Sequence, residues 1–396
     1  MIRLFRPGLA CGLILSLAIT SLASAADLDD YLNEIKAVGA EGQGNAAAAK
    51  ACRQVSAEKG AAIPKILAAF DDANPLAANY FRNAVETIAQ RELAKGGKLP
   101  AAEIEKFIKE TKHDPRARRL AFEILTRVDK SAPDRLIPGM LNDPSVELRR
   151  DAVGRLIAQG NEQLDQEKKA EAKETFATAL AGSRDDDQVQ TIKKRLEELG
   201  EKVDLAQHFG FLRKWRVVAP FENTGGKGFA TPYPPEAKVD FDAQYEGKEE
   251  QKIGWSAVAT DNEYGIVDLA KALASHKGAV CYAATEFVSD KQHTVDFRLG
   301  TPNSWKVWLN GELLFAREEY HRGMSLDQYK MRGTLKPGKN LILIKVCQNE
   351  QTEEWAQRWQ FQLRVCDATG TAILSGDRAT AQTPTSRDRA VTNNGN

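Results

Sequence analysis

The chain has 396 residues, a length that suits two or three domains better than one. Lys plus Arg number 55 and Asp plus Glu number 55, and a chain so balanced is not an electrostatic nucleic-acid binder by default, because phosphate binding needs a basic face. A hydrophobic content of 42% supports packed cores, and five cysteines are too few for a disulfide scaffold of this size.

The first 25 residues carry Arg3 and Arg6, an apolar stretch from Leu9 to Leu22, and then Ala23-Ser24-Ala25-Ala26. A basic start, an apolar core and an A-x-A site describe a secretory signal over residues 1–25, cleaved after Ala25. The apolar stretch is short for a hydrocarbon core of about 30 Å, which puts an uncleaved anchor second. Cys11 falls near the start of that stretch, with the bulk of the apolar core after it instead of before it, so a lipoprotein is rejected. The expectation is export by the general secretory route to the periplasm or beyond, with no membrane span after cleavage. Cys52, Cys281, Cys347 and Cys366 form no C-x-x-C pair. Buried free thiols are the favoured reading, although export permits disulfides.

From residue 26 to about 205 apolar residues recur at three and four, the helical period. Ile63, Ile66, Leu67 and Phe70 show it, as do Ile104, Phe107 and Ile108. A repeat is visible. Arg82-x-Ala84-x-x-x-Ile88, Arg119-x-Ala121-x-x-x-Leu125 and Arg150-x-Ala152-x-x-x-Leu156 align, and Asn74-Pro75, Asp114-Pro115 and Asp143-Pro144 precede them. Asp or Asn caps a helix start, Pro is tolerated in the first turn, and Ala admits a neighbouring helix. The pattern resembles HEAT-type repeats, which implies a short α-solenoid. Residues 169–180 and 188–200 read as two antiparallel amphipathic helices, turned by Ser183 to Asp187, and resemble a TPR-like closing hairpin.

At Phe209 alternation replaces the helical period. Strands are predicted at Trp215–Pro220, Lys252–Ala259, Ala279–Val288, Thr294–Leu299, Lys306–Leu309, Glu312–Ala316, Tyr329–Leu335, Asn340–Gln348 and Trp359–Val365, with a short helix at Val267–Ser275. Asn310-Gly311 signals a type I′ hairpin, and Lys336-Pro337-Gly338-Lys339 a second tight turn. Many short strands with regular turns predict a β-sandwich or jelly roll over residues 209–375. The segment after 375, almost free of apolar residues, reads as a disordered tail over 376–396.

The run from Phe297 through Trp305-Lys-Val-Trp308-Leu-Asn310-Gly311-Glu312, followed by Leu335-Lys-Pro-Gly338-Lys-Asn340-Leu-Ile-Leu-Ile-Lys345-Val346, resembles the hairpin of galactose-binding-like jelly rolls. Carbohydrate-binding modules belong to that group. Phe209 to Asn223 and Tyr233-Pro-Pro-Glu236 look like the entry segment of such domains in exported bacterial proteins that also carry helical repeats. The resemblance covers about 160 residues. It implies a fold; the fold hosts many ligands. Where related modules often place an acidic residue before the Trp-x-Asn-Gly strand, this chain has Thr301-Pro302-Asn303-Ser304.

No familiar reaction centre stands out. The five histidines form no H-E-x-x-H, there is no G-x-S-x-G, and Asp185-Asp186-Asp187 lacks the spacing of a calcium loop. Gly225-Gly226-Lys227-Gly228 reads as a loop with no following helix. The dense polar-aromatic stretch between Glu318 and Gln328 is the best ligand candidate, since such loops often carry function. Tyr320, His321, Arg322 and Asp327 would offer an aromatic face and fixed hydrogen-bond groups to a sugar. Trp355 and Trp359, four apart, would form a platform or close the end of the sandwich. The expectation is therefore a multidomain α-then-β protein, a HEAT/TPR-like α-solenoid followed by a jelly-roll β-sandwich. Its expected role is non-catalytic binding or scaffolding, with a carbohydrate ligand on the sandwich and a protein partner on the repeats. It needs no cofactor or metal and binds no nucleic acid. The alternatives are a scaffold without a sugar site and an accessory subunit of a polysaccharide-degrading enzyme.

Overall fold

The computed structural model describes residues 27–376, so the expected signal at 1–25 and, Gly376 apart, the expected tail at 376–396 lie outside the described residues. The chain is helical up to Phe209 and antiparallel β beyond it. It divides into two compact units between Pro133 and Asp134. The last long helices thus belong with the sheets.

The first unit holds α1 (Leu28–Lys36), α2 (Asn45–Ala57), α3 (Ile63–Ala68), α4 (Pro75–Ala94), α5 (Ala101–Lys109) and α6 (Pro115–Val128). Helices α1 and α2, α2 and α4, and α5 and α6 pack in pairs. The caps follow the local code. Asn74 Oδ1 accepts from the Leu76 and Ala77 amides at 2.9 and 3.0 Å, and Asp114 Oδ1 accepts from Arg116 and Ala117 at 2.8 and 3.4 Å. Both place Pro at the first helical position, where its missing N–H costs nothing. Ala84 and Ile88 are buried, and so are Ala121 and Leu125. Between the two repeats Glu123 accepts from Arg82 and Arg119, each at 2.9 Å.

The third repeat departs from this. A short helix, α7 (Ala132–Leu136), precedes α8 (Val146–Asp165), whose cap is Ser145 and not Asp143. The Asp143 carboxylate accepts from the Ser145 amide at 2.8 Å, which turns the chain before the helix begins. Helix α8 packs on α9 (Lys169–Gly182), which turns back through α10 (Asp186–Glu198) and leads to α11 (Leu205–Phe209). Phe176, Val189, Ile192 and Leu196 of the hairpin share a core with Phe209 and Phe211, and Tyr264 and Leu326 of the β region pack on it. Tyr264 Oη donates to Asp186 at 2.6 Å.

Among the described residues twelve strands follow: β1 (Lys214–Glu222), β2 (Gln244–Glu246), β3 (Lys252–Gly254), β4 (Ser256–Ala259), β5 (Val267–Asp268), β6 (Ala279–Ser289), β7 (His293–Gly300), β8 (Ser304–Leu309), β9 (Glu312–Arg317), β10 (Tyr329–Leu335), β11 (Gly338–Gln348) and β12 (Gln360–Cys366). One sheet runs β4-β1-β6-β11-β8-β9, a second β10-β7-β12-β5, and β2 pairs with β3. All pairings are antiparallel. The two larger sheets share one core. Trp215, Ala283, Ile344 and Trp305 enter it from the first, and Phe297, Leu299, Leu363 and Val365 from the second. This is the alternation expected of half-buried strands.

The hairpin signal held, with Asn310 and Gly311 at φ 53° and 86° joining β8 to β9. Three expectations change. Lys252–Ala259 is not one strand, because β3 pairs with β2 while β4 pairs with β1. Val267–Ser275 begins as β5, paired with β12, before a single turn α14 (Leu269–Ala272) whose cap is Asp268. The glycine-rich stretch at 225–228 also runs into a helical turn, α12 (Lys227–Ala230), after positive φ at Gly225 and Gly226. Glycine, with no β-carbon, reaches that geometry at no steric cost.

Over the outer face of the six-stranded sheet lies the segment that includes α12 and α13 (Pro234–Ala237). Its anchor is Lys345, a charge within the apolar run 341–347 of β11, with no exposed surface. The ammonium donates to the Phe229 and Thr231 carbonyls at 3.2 and 2.7 Å and to Glu236 Oε1 at 2.7 Å. It lies over the Tyr233 and Tyr282 rings at 5.4 and 5.5 Å. Three donors meet three acceptors, so this cluster is closed and clamps the segment down. Burial pulls the Lys345 pKa below the usual lysine value, and the Glu236 carboxylate opposes that shift.

Candidate functional site

The β9–β10 loop (318–328) and the β11–β12 loop (349–359) meet at one end of the sandwich. His321 sits at φ 57° and donates its amide to the Pro302 carbonyl at 2.6 Å. Its Nε2 lies 2.8 Å from Asn349 Oδ1, and Asn349 Nδ2 donates to Gln351 at 2.8 Å. Trp355 meets the imidazole edge-on, with ring centroids 5.0 Å apart at 90°. The indole is 57% exposed, the most open large apolar side chain among the described residues. The tryptophan, braced by the imidazole, presents a flat apolar surface to solvent.

Tyr320 is the base of this ridge. Its hydroxyl accepts from Asn223 Nδ2 at 3.1 Å, and that nitrogen also donates to the Gln348 carbonyl at 2.9 Å. Burial raises the Tyr320 pKa and keeps the phenol neutral. Arg322 is exposed and donates to Glu319 at 2.9 Å. Beneath the loops Asn303 Nδ2 donates to Gln348 Oε1 at 3.0 Å, and Asn303 Oδ1 accepts from the Gln360 amide at 3.1 Å. Gln348 Nε2 in turn donates to the Ala356 carbonyl at 3.0 Å. These buried amides tie the 301–303 and 349–359 loops together. Sequence reasoning passed over Asn223, Asn303, Gln348 and Asn349; the signal was polar residues set at strand ends within apolar runs.

The other two candidates lie elsewhere. Trp359 is 1% exposed and donates its indole N–H to the Val346 carbonyl at 3.3 Å, inside the sandwich core. Trp355 sits in a single turn (Glu354–Ala356) and Trp359 in the irregular stretch before β12, so no regular element carries both and their spacing of four aligns nothing. Asp327 closes an ionic clasp. Its carboxylate accepts from Arg298 at 2.7 Å and from Arg364 at 2.6 and 2.7 Å. Burial pushes this carboxyl up, but Arg364 and Arg298 outweigh it and hold the group below its ordinary range. Arg364 also donates to the Phe209 and Gly370 carbonyls at 3.1 Å. The clasp ties β7, β12 and α11 together and leaves Asp327 no free oxygen for a ligand.

Cys52, Cys281, Cys347 and Cys366 are free and buried. Burial pushes the Cys347 thiol up to about 12 and the Cys366 thiol to about 11, which keeps both protonated and inert. Among the described residues no group of three or more His, Cys, Asp or Glu is placed to hold a metal. No described helix is long and apolar enough to cross a membrane.

No protein family and no curated protein matches the chain. Among solved structures, a selenomethionine-labelled β-glucosidase from Kluyveromyces marxianus is 14% identical over 44% of this chain and 21% of that one, with a TM-score of 0.25. The β-glucosidase from the same organism in complex with glucose is 11% identical over 72% and 36%, with a TM-score of 0.26. The chain therefore spans between about a fifth and about a third of those enzymes.

Proposed function

We propose that this is an exported, non-catalytic binding and scaffold protein whose β-sandwich is a galactose-binding-like jelly roll that holds a neutral glycan at the Trp355 ridge. The observation that carries the reading is Trp355 itself. An indole 57% exposed, on a loop fixed from below by buried amides, is a preorganised stacking surface. Tyr320, His321 and Arg322 stand beside it as the polar groups that orient a ring. The helical repeats, HEAT-like in pattern, present Leu76 and Val128 to solvent and form the partner-facing surface of the scaffold. The test is affinity electrophoresis of the full chain in gels containing neutral plant, algal and bacterial polysaccharides. Retardation by one of them, lost in Trp355→Ala while the fluorescence-monitored fold is intact, supports the reading. Unretarded migration through every neutral polymer refutes it.

A further inference from the structure

A second surface lies on the outer face of the six-stranded sheet, away from the clamped segment's Lys345 cage. Arg216 of β1 points out there. Its cross-strand neighbours on both sides are alanines, Ala257 of β4 and Ala284 of β6. Exposed strand charges are stabilised by an opposite charge across the pair. Arg216 has none, and among the described residues no hydrogen bond or ion pair engages its guanidinium. It is nonetheless fixed in place. The guanidinium carbon lies 5.2 Å from the centre of the Phe241 ring, and Phe241 is held edge-on by Trp255 at 5.4 Å. Trp255 in turn donates its indole N–H to Tyr245 Oη at 3.3 Å.

The small floor leaves an open groove of about 420 Å³, lined by Lys214, Arg216, Phe241, Ala257, Ala284 and Glu286 among others. That volume falls within the range of about 300–1,000 Å³ seen for small-ligand sites. Its charge is unbalanced. Among the described residues Lys214 is also unpaired, while the one acid of the lining, Glu286, is engaged by Lys339 at 2.9 Å. A guanidinium already stacked on an aromatic face loses little entropy on taking a carboxylate with two parallel N–H bonds. The alanine floor has no deep apolar hole for an amino-acid side chain, but it accepts the flat face of a sugar ring.

We infer that this groove binds the carboxylate of a uronic acid unit in an acidic polysaccharide, with Arg216 as the anchor and Lys214 as the second cation. The choice of a sugar acid rests on the glycan-binding reading of the sandwich; the position of the groove does not depend on the Trp355 ridge. The probe is polygalacturonate in affinity electrophoresis and titration calorimetry with the full chain at low and moderate salt. The controls are a neutral dextran and poly-glutamate of matched charge.

Arg216→Gln should weaken polygalacturonate binding about tenfold or more, the scale of a lost charge-assisted pair. Arg216→Lys should restore part of it, and Ala257→Leu, which fills the floor from an exposed position, should abolish it with Arg216 intact. Trp355→Ala should leave it unchanged, so failure here is separable from failure at the ridge. The proposal is overturned if polygalacturonate does not bind, if Arg216→Gln binds as tightly as the parent, or if poly-glutamate binds equally well through Arg216.

Discussion

Replacing Asp327 by Asn tests the clasp that ties β7, β12 and α11 together. The substitution keeps shape and one acceptor oxygen but removes the charge facing two guanidinium groups that are 8% and 1% exposed. Three charge-assisted bonds of 2.6–2.7 Å are weakened or lost. Arg298 keeps Asp296 at 3.1 Å and Arg364 keeps two carbonyls, so neither cation is stranded outright. Removing one partner of a buried pair costs roughly 3–5 kcal/mol, and the remaining partners place this case at the lower end, about 3 kcal/mol. With a urea slope of about 1–3 kcal/mol/M, the midpoint should fall by about 1 M or more. All six tryptophans lie between Trp215 and Trp359, so indole fluorescence reports on the β region alone.

The pH dependence carries a sign. The folded Asp327 pKa lies below its unfolded value, so the clasp's contribution is complete above the unfolded value of about 3.9. It is lost as pH falls through the lower folded value. Parent and Asp327→Asn should therefore differ fully at pH 7 and converge in acid. A midpoint change under about 0.2 M at pH 7, or an undiminished gap in strong acid, would refute the reasoning.

Two further substitutions probe packing elsewhere. Lys345→Met leaves Glu236 facing a hydrocarbon and frees the covering segment from three hydrogen bonds. It should cost about 3 kcal/mol and open residues 229–237 to protease, whereas adding Glu236→Gln should recover part of the loss. Gly182→Ala and Gly154→Ala form a contrasting pair on neighbouring helices. A β-carbon at Gly182 would meet Leu141 Cδ1 at 2.2 Å, a clash costing about 1–3 kcal/mol, while at Gly154 the nearest atom is the Gln188 amide at 3.7 Å. The first should lower the thermal midpoint, and the second should raise it through a helix-propensity gain of up to about 1 kcal/mol. Equal shifts in one direction would show that the Leu141 contact does not decide the outcome.

Local chemistry was enough for a large part of this chain. The caps at Asn74 and Asp114 and the turn at Asn310-Gly311 act over two to four residues, so the sequence carries them whole. The change near Phe209 from a helical period to alternation is likewise written in side-chain spacing and marks where helix gives way to sheet. Tertiary structure decided whatever depends on a distant partner. Asp143-Pro144 matches the earlier capping pairs in sequence, yet Ser145 takes the cap, because Asp143 is drawn into a buried turn. Lys252–Ala259 divides between two sheets because β2 and β1 compete for its halves. Tyr320, His321 and Asp327 are neighbours along the chain, yet Asp327 is captured by arginines from β7 and β12 while the others gather at Trp355. The alanines that leave Arg216 unpaired come from strands about 40 and 70 residues away. Alternation shows that a strand side chain points inward or outward; only the register of its neighbours shows what it meets there.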